Sequence, residues 1–526
     1  MSEHELVIRG GVVVDGTGGG SMPADVAVDG GRITTIVPHR RGVDRPAGHR
    51  VIDAAGQVIA PGFIDLHSHA DFTLQGWPAA TTQIHQGVTT LLTGNCGWSP
   101  FPVGRLDELI AATAFLDPEL AWAWTDADGF AAVVDEVRPA INIALQAGHS
   151  SLRLAAMGGD ERAAGEPELA RMTDLIDESA RAGVHGFSTG LIYAPGTYAD
   201  ADEVRRLVAA AAARGLLYST HIRNESDRLA EAVREAIDAA ESGGARLQIS
   251  HLKAMGPAHH GDVSHALELI DAAAARGLDV AADVYPYTAS STTLTARLPT
   301  WAMDGGAAGL LRRLADAGQR DKLLQELRDG AGLDGADVVL AELGPGRYAD
   351  AVGTSIADVA RADGVDAAEA VLRVLESHDA SVAVVNHGMS EDDVVTVLRH
   401  PRVAVASDGW VLRPHGTGRP HPRSFGTFPR VLGHYVRELG VLTLPEAVRK
   451  MTSLPASRLG LRDRGVLADG AVADIVVFDP DTVADRSTFA EPWQLAAGID
   501  TVLVAGEVAL DGGEATQARA GRVLRR

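Results

Sequence analysis

The sequence PGFIDLHSHAD at residues 61–71 decides the fold of this chain. A short apolar run precedes two histidines, His67 and His69, whose i, i+2 spacing puts both imidazoles on one face of a strand. In barrels of parallel strands, the carboxyl ends of the strands form the rim that carries the active site. One such pair among 19 histidines is weak evidence. The prediction of a barrel therefore depends on further runs that end in the same way.

Seven further apolar runs alternate with Ala-rich stretches, as expected of repeated strand-helix units. The helical stretches at 203–215 and 265–277 each close on glycine, a helix stop signal. We predict an α/β fold, a (β/α)8 TIM-like barrel over 61–465. The eight predicted strands are FIDLHSH (63–69), VTTLLTGN (88–95), INIALQAGH (141–149), VHGFSTGL (184–191), LLYSTHIRNE (216–225), LQISHLKA (247–254), DVAADVYPY (279–287) and VAVASDG (403–409).

Both ends of the chain have the texture of a small β domain, with short strands that end in turn signals. We predict that residues 1–60 and 466–526 form a small β-sandwich, with the closing segment GRVLRR (521–526) as one of its strands. The gap between the seventh and eighth runs is too long for a plain connection. An insertion at about 292–400 is therefore expected to carry extra helices and one extra strand, VAVVNHGM (382–389).

Composition narrows the classes of partner. Apolar residues make up 46% of the chain and charged residues 22%, which is typical of a globular protein with a large core. The formal charge of −23 repels phosphate and anionic lipid, so neither nucleic acid nor a membrane is an expected partner. The chain has one cysteine and no basic, apolar secretion signal at its start, which favours a reducing, cytoplasmic location. The sequence leaves the oligomeric state open.

Metal-ligand residues end several of the predicted strands. Cys96 follows the second run in Gly-Asn-Cys-Gly, and His221 and His251 end the fifth and sixth runs, one strand-helix unit apart. A lone cysteine is often a buried packing residue. One thiolate and two imidazoles converging at one rim instead match a catalytic Zn²⁺ with an open fourth position. His67 and His69 would complete that site or hold a second, weaker metal, and the sequence does not decide between one ion and two.

Asp408 ends the eighth run in Ala-Ser-Asp-Gly, where it faces the same rim. Asp before Gly is common in turns, but the position opposite five candidate ligands favours a catalytic carboxylate. Zinc lowers the pKa of a bound water to roughly 7 and polarises a carbonyl, so hydroxide can attack an amide. Asp408 would act as general base toward the water and then as general acid toward the leaving amine.

Cations beside the candidate metal ligands point to an anionic substrate. Lys253 lies two residues after His251, and Arg223 stands in the same relation to His221. In so acidic a chain, cations kept at this rim favour a substrate that carries a carboxylate. The other candidate substrate-binding residues are Arg423, Tyr193, Tyr285 and Ser291.

These motifs, taken in order, resemble those of the D-aminoacylases, or N-acyl-D-amino-acid deacylases, of the amidohydrolase superfamily. The resemblance covers nearly the whole chain. The matching segments are PGFIDLHSHAD, TGNCG, GFSTGLIYAPG, STHIRNE, ISHLKA, ASDG and HPRSFGTFPRVLG.

The resemblance implies a zinc-dependent hydrolysis of N-acyl-D-amino acids to a carboxylic acid and a free D-amino acid. It implies a tight zinc on Cys96, His221 and His251, a weaker or empty site near His67 and His69, and Asp408 as acid and base. It also implies that the substrate carboxylate meets Lys253, Tyr285, Ser291 and Arg423, with Tyr193 nearby. The preference for D over L substrates follows from the resemblance alone.

Two alternatives stay open. A cyclic-amide hydrolase of the dihydropyrimidinase or hydantoinase type is the enzymatic one. The fourth run, GFSTG at 186–190, lacks the lysine that such enzymes carboxylate to bridge two metals, which counts against it. The other alternative is a barrel that has lost catalysis and serves as a scaffold. The presence of all five candidate ligands and the acid in order counts against that.

Overall fold

The computed structural model describes residues 3–41, 44–114, 120–330 and 335–526. Its first strands form one part of a mixed sheet. β1 pairs antiparallel with β2 and parallel with β4 and β5, and β2 pairs with β3. The strands are β1 (His4–Val13), β2 (Met22–Asp29), β3 (Arg32–Pro38), β4 (Gly48–Asp53) and β5 (Val58–Pro61).

The barrel follows directly, and all of its predicted strands form. Neighbouring strands pair in parallel in chain order. The strands are short and nearly every residue in them is buried, because helices cover the outer face and side chains fill the interior. The first seven are β6 (Phe63–Asp65), β7 (Val88–Thr93), β8 (Asn142–Gly148), β9 (Gly186–Gly190), β10 (Leu217–His221), β11 (Arg246–Ile249) and β12 (Val280–Val284).

The insertion between the seventh and eighth barrel strands contains a separate antiparallel sheet. This sheet consists of β13 (Ala289–Thr293), β14 (Val338–Leu343) and β15 (Val382–His387), with β15 in the middle. The predicted extra strand at 382–389 is confirmed as β15. β13 and β14 were not expected, because ASSTT is polar and a bulge between Leu340 and Glu342 breaks the alternation of β14. Residues 331–334 of the predicted insertion lie outside the described residues.

The eighth strand, β16 (Val403–Val405), pairs with β12 and brings the chain back beside β6. Two backbone hydrogen bonds close the barrel just beyond these strands. The amide of Asp408 donates to the carbonyl of His67 at 2.8 Å, and the amide of His69 donates to the carbonyl of Gly409 at 2.8 Å. The barrel is therefore closed at the rim that carries the predicted ligands.

Later strands return to the sheet begun by the N-terminal segment. β17 (Ile475–Phe478) pairs antiparallel with β5, and β18 (Ile499–Val504), β19 (Glu507–Asp511) and β20 (Glu514–Ala515) extend the sheet from it. Segments from both ends thus share one hydrogen-bonded sheet. The domain limits at 1–60 and 466–526 stay a prediction.

The prediction for the closing segment is wrong. β21 (Val523–Leu524) joins the barrel, where it pairs in parallel with Ile143 and Ala144 of β8. The physical reason is an unfilled edge: β9 begins at Gly186, opposite Gln146, so it leaves the first residues of β8 without a partner on that side. Buried backbone groups need hydrogen-bond partners, and the closing segment supplies them.

Helices fill the connections between strands, and the two predicted in full appear as α6 (Ala201–Ala213) and α8 (Val263–Ala275). They end just before Gly215 (φ +69°) and Gly277 (φ +105°), whose left-handed conformation favours glycine. No helix in the described ranges is long and apolar enough to cross a membrane. The helices are α1 (Thr81–Ile84), α2 (Leu106–Thr113), α3 (Ala127–Glu136), α4 (His149–Met157), α5 (Glu166–Arg181), α6 (Ala201–Ala213), α7 (Leu229–Gly243), α8 (Val263–Ala275), α9 (Gly306–Ala315), α10 (Ala317–Asp329), α11 (Ile356–Asp363), α12 (Ala367–Ser377), α13 (Glu391–Arg399), α14 (Arg423–Arg430), α15 (Leu444–Met451) and α16 (Ser453–Leu459), with a π-helical segment at Val431–Glu438.

A buried charge cluster ties α4 to α6. Glu203 accepts a hydrogen bond from Nε2 of His149 at 2.8 Å and forms an ion pair with Arg153. All three side chains are buried. Burial alone would raise the pKa of Glu203, but His149 and Arg153 lower it to about 2. A lowered carboxyl pKa stabilises the fold above the ordinary value of 4.5, and that stability is lost as the pH falls from 4.5 toward 2.

We expect Glu203→Gln to lower the free energy of unfolding by about 3 kcal/mol at pH 7, because it leaves Arg153 buried without its partner. The difference from the parent should shrink as the pH falls below 4.5, where the parent loses the same charge. Urea unfolding at several pH values measures it. The exposed Glu231→Gln on α7 is the matched control, and an equally small effect of both changes would contradict the prediction.

Candidate metal centre and active site

Three residues at the rim hold a backbone conformation that is costly for side chains. Cys96 (φ +53°), His251 (φ +33°) and Asp408 (φ +51°) all lie in the left-handed region. Each follows a barrel strand: β7, β11 and β16. Such conformations cost on the order of 1–3 kcal/mol and persist only where the surrounding structure enforces them, often at functional sites. At each of these strand ends the strained residue is one of the predicted site residues.

Cys96, His221 and His251 form the first group that fits a metal ion. One ligand atom from each lies within 4.8 Å of the others, and all three side chains are buried. The Sγ of Cys96 is 3.5 Å from Nε2 of His251. Neither ring nitrogen of His221 has a hydrogen-bond partner among the described residues. Buried polar atoms are rarely left unsatisfied, so this nitrogen pair fits a site built for a cation.

A second group shares the cysteine with the first. His67, His69, Cys96 and Asp408 also offer ligand atoms within 4.8 Å of one another. Oδ1 of Asp408 is 3.3 Å from Nε2 of His67 and 3.1 Å from Nε2 of His69, and the thiol sulfur is 3.3 Å from Nε2 of His67. The five predicted ligands and the predicted acid therefore meet at one place. Sharing of Cys96 keeps both one ion and two compatible with the geometry.

The charges at this centre favour the ligand forms of its acidic groups. Burial would raise the pKa of the Cys96 thiol, but His67 and His251 hold it well below its usual range. Burial would likewise raise the pKa of Asp408, but Arg423 and His67 hold it well below its usual range. Cys96 and Asp408 in turn overcome the burial of His69 and raise the pKa of that imidazole to about 9. A metal cation would take the place of such protons, since ligands bind it in their deprotonated forms.

Asp283 is a buried carboxylate that the sequence analysis did not single out. Its Oδ1 accepts a hydrogen bond from the backbone amide of His251 at 2.8 Å and lies 3.3 Å from Nδ1 of His67. Nε2 of Gln248 donates to its Oδ2 at 2.8 Å. Carboxylates behind ligand histidines fix the orientation of the rings. The signal was present as an aspartate inside the apolar run DVAADVYPY.

Glu225 is the second carboxylate that was missed. Its Oε1 lies 3.4 Å from Nε2 of His221 and 3.3 Å from Nδ1 of His251, and it pairs with the ammonium of Lys253. Nζ of Lys253 also lies 2.9 Å from Nδ1 of His251. Lys253, the cation predicted to bind the substrate, is therefore close to the candidate metal ligands, and its charge is partly balanced by Glu225. The signal for Glu225 was the acidic end of the segment STHIRNE.

The other predicted substrate residues surround the same mouth. Nη1 of Arg423 pairs with Oδ2 of Asp408 at 2.7 Å, and its Nη2 donates to the carbonyl of Ser291 at 3.3 Å. The Arg423 guanidinium and the Lys253 ammonium lie 4.9 Å and 5.8 Å from the centre of the Tyr285 ring. Tyr193 packs its ring edge-on against His221 with centroids 4.9 Å apart. These residues lie close to the candidate metal ligands; their role in substrate binding stays a prediction.

Arg223 does not face the mouth. Its guanidinium pairs with Glu235 of α7 and donates to the backbone carbonyls of Thr197 and Ala199. Residues two apart on a strand share a face, but the chain leaves β10 at His221, so this rule no longer applies to Arg223. Arg223 therefore anchors the loop after β9 and does not place its charge at the site.

Comparison with known proteins gives the chain its family. The amidohydrolase family model matches residues 50–510. An N-acyl-D-glutamate deacylase of Alcaligenes xylosoxydans xylosoxydans is 38% identical over 522 residues, which is 99% of this chain and 96% of the relative. The chain belongs to the amidohydrolase family. The predicted membership is confirmed.

Two solved amidohydrolase structures share the fold over its whole length. An N-acyl-D-glutamate deacylase from Bordetella bronchiseptica, complexed with zinc and a phosphonate mimic of the tetrahedral intermediate, has a TM-score of 0.85 and 37% identity, and the match covers 100% of both chains. A D-aminoacylase structure has a TM-score of 0.84 and 34% identity, and the match covers 99% of this chain and 100% of that one. That D-aminoacylase has a binuclear metal centre in which one metal activates and the second attenuates. Together with the strand order, these likenesses confirm the predicted barrel fold.

Gly190 allows the backbone of Cys96 to lie against the end of β9, because a Cβ atom at Gly190 would overlap the carbonyl oxygen of Cys96. We expect Gly190→Ala to displace the cysteine and weaken zinc binding at least tenfold, about 1.4 kcal/mol. Zinc per chain after titration against a chelator measures the loss. Gly20→Ala, where a Cβ meets nothing within 4 Å, is the control. Unchanged zinc affinity in Gly190→Ala would contradict the prediction.

Proposed function

We propose that this amidohydrolase hydrolyses the amide bond of N-acyl-D-amino acids, releasing a carboxylic acid and a free D-amino acid. The observation that carries the proposal is the meeting of a low-pKa thiol, two histidine pairs and an ionised aspartate at one rim. The preference for D substrates is supported by the relative that is 38% identical, an N-acyl-D-glutamate deacylase. The absence of a lysine from β9 favours a linear amide over a cyclic one.

Zn²⁺ is the cofactor that the donor set fits best. Cys96, His221 and His251 would hold the tight ion, since one thiolate and two imidazoles leave a position open for chemistry. His67 and His69 would hold a weaker second ion that shares Cys96. When bound, zinc lowers the pKa of water and polarises a carbonyl.

Asp408 would carry the proton in this reaction. Its carboxylate is ionised at neutral pH, so it can accept a proton from the attacking water and pass it to the nitrogen of the leaving amine. Arg423 holds Oδ2, which leaves Oδ1 directed toward the histidines. The backbone hydrogen bond from Asp408 to His67 fixes where that oxygen lies.

The α-carboxylate of the substrate would lie between the two cations that flank Tyr285. Lys253 and Arg423 each have one acidic partner, Glu225 and Asp408. Arg423 retains a donor for another anion at Nε, whereas the three N–H donors of Lys253 already face Glu225 and His251, so Lys253 would contribute mainly its charge. Ser291, Tyr285 and Tyr193 would add hydroxyl donors around the same mouth. The substrate is thus a small molecule.

The net charge of −23 supports a function without nucleic acid or membrane partners. A reducing, cytoplasmic compartment suits a lone cysteine that works as a thiolate.

We expect Asp408→Asn to lower kcat by two to four orders of magnitude, because the amide cannot accept the proton of water. Zinc content should stay the same, since the tight ligands are untouched and the backbone hydrogen bond to His67 does not involve the side chain. Steady-state kinetics with N-acetyl-D-leucine, beside metal analysis of the same sample, measure both quantities. Loss of zinc would instead make Asp408 a ligand, and unchanged kcat would remove it from the mechanism.

A substrate panel tests the reaction class. We expect the zinc-loaded protein to hydrolyse N-acetyl-D-amino acids faster than their L enantiomers and to leave hydantoins and dihydropyrimidines unchanged. Release of free amine measures the linear substrates, and loss of ring absorbance measures the cyclic ones. Activity confined to the cyclic amides would replace the proposal with the cyclic-amide alternative. Less than a tenth of an equivalent of zinc, together with no activity, would favour the scaffold alternative.

A further inference from the structure

A second, much larger cavity lies beside the metal centre. Its volume is about 580 Å³, against about 30 Å³ for the space that directly contacts the ligands His69, Cys96 and His251. The two cavities share Trp98 and Tyr193 as walls. The larger one, which we call the side cavity, is bounded by α2, by the loop after β9 and by the start of the insertion, including α9.

The lining of the side cavity is mainly apolar and small. Leu154, Ile192, Leu298 and Met303 contribute the larger apolar surfaces, and alanines of α2 and α9 complete the walls. A volume in this range is typical of pockets that bind small organic molecules. An acetyl group or an alanine side chain fills only a small part of it. The cavity is therefore matched to a larger group than the smallest possible substrates offer.

Most charged side chains that line the side cavity are acidic. Asp107, Glu108, Asp160 and Asp379 line it, and Arg105 is the only cation among its described lining residues. Nη1 of Arg105 lies 2.9 Å from Oε1 of Glu108, so its charge is already balanced. A second substrate carboxylate in this space would meet acidic side chains and no free cation. Like charges in close proximity disfavour binding.

We propose that the side cavity receives an apolar arm of the substrate and excludes an acidic one. This inference rests on the proposed deacylase activity and narrows its substrate class. The preferred substrates carry either a long acyl chain or a large neutral side chain, and the side chains of D-glutamate and D-aspartate are disfavoured. The chain thereby differs in specificity from its relative named for N-acyl-D-glutamate, although the two are 38% identical.

The first experiment compares kcat/KM of the zinc-loaded protein across four substrates. N-acetyl-D-alanine is the reference, N-acetyl-D-phenylalanine extends the side chain, N-octanoyl-D-alanine extends the acyl group and N-acetyl-D-glutamate adds a carboxylate. We expect at least a tenfold gain over the reference for one apolar arm, which identifies the group that enters the cavity, and at least a tenfold loss for glutamate. A glutamate derivative that matches or exceeds both apolar arms would overturn the proposal.

A variant that fills the side cavity tests the location. Ala308 is exposed on α9 and lines the cavity, whereas Ala272 is exposed on α8 and does not. We expect Ala308→Trp to reduce the advantage of the preferred apolar arm over the reference at least tenfold, and Ala272→Trp to preserve it. An advantage that survives in Ala308→Trp, with an unchanged thermal midpoint, would refute the role of the cavity.

The substrate comparison distinguishes failure of the side-cavity proposal from failure of the proposed deacylase activity. Hydrolysis of N-acetyl-D-alanine without a gain for either apolar arm refutes the side-cavity role alone. No hydrolysis of any of the four substrates by zinc-replete protein refutes the deacylase activity, and the side-cavity role with it.

Discussion

The hydrogen bond from the amide of Asp408 to the carbonyl of His67 is the contact on which the rest of the site depends. It joins the first and last barrel strands, and its two residues belong to the candidate catalytic machinery. The same contact therefore closes the barrel and positions two residues of the candidate site. The insertion of about a hundred residues before β16 is compatible with this closure, because the entropic cost of joining chain ends rises only slowly with loop length.

Charge balance is the second constraint on this rim. Cys96, Asp408, Glu225 and Asp283 are all buried there, and isolated buried charges are costly. Histidines, Lys253 and Arg423 lie within ion-pair distance of the carboxylates, so most charges have a partner. Ring nitrogens of His67, His69 and His221 nevertheless lack hydrogen-bond partners among the described residues. The protein portion of the centre is thus nearly neutralised but not fully satisfied, as expected of ligands arranged for a cation.

The sequence was sufficient for features that are local in the chain. Each barrel strand was visible as an apolar run, and Cys96, His221 and His251 were visible because each ends a run. The missed features depend on contacts between distant segments. In the sequence, Asp283 is only a polar residue in an apolar run, and its role is visible only from the packing of β12 beside β11. β21 was missed because only two of its residues pair. Arg223 was expected at the mouth because strand alternation was extended past the end of β10. Nothing in residues 105–112 or 293–308 indicates that they enclose a common cavity.

The insertion has a hydrophobic core of its own, built from buried residues between Leu294 and Val384, and it supplies part of the wall of the side cavity. The candidate zinc ligands and Asp408 come from the barrel. The side cavity thus combines barrel residues of α2 and the loop after β9 with residues of the insertion. Under the proposed role of the side cavity, a substitution in the insertion would change which substrate arm fits, while the candidate ligands and Asp408, which lie outside the insertion, stay as they are.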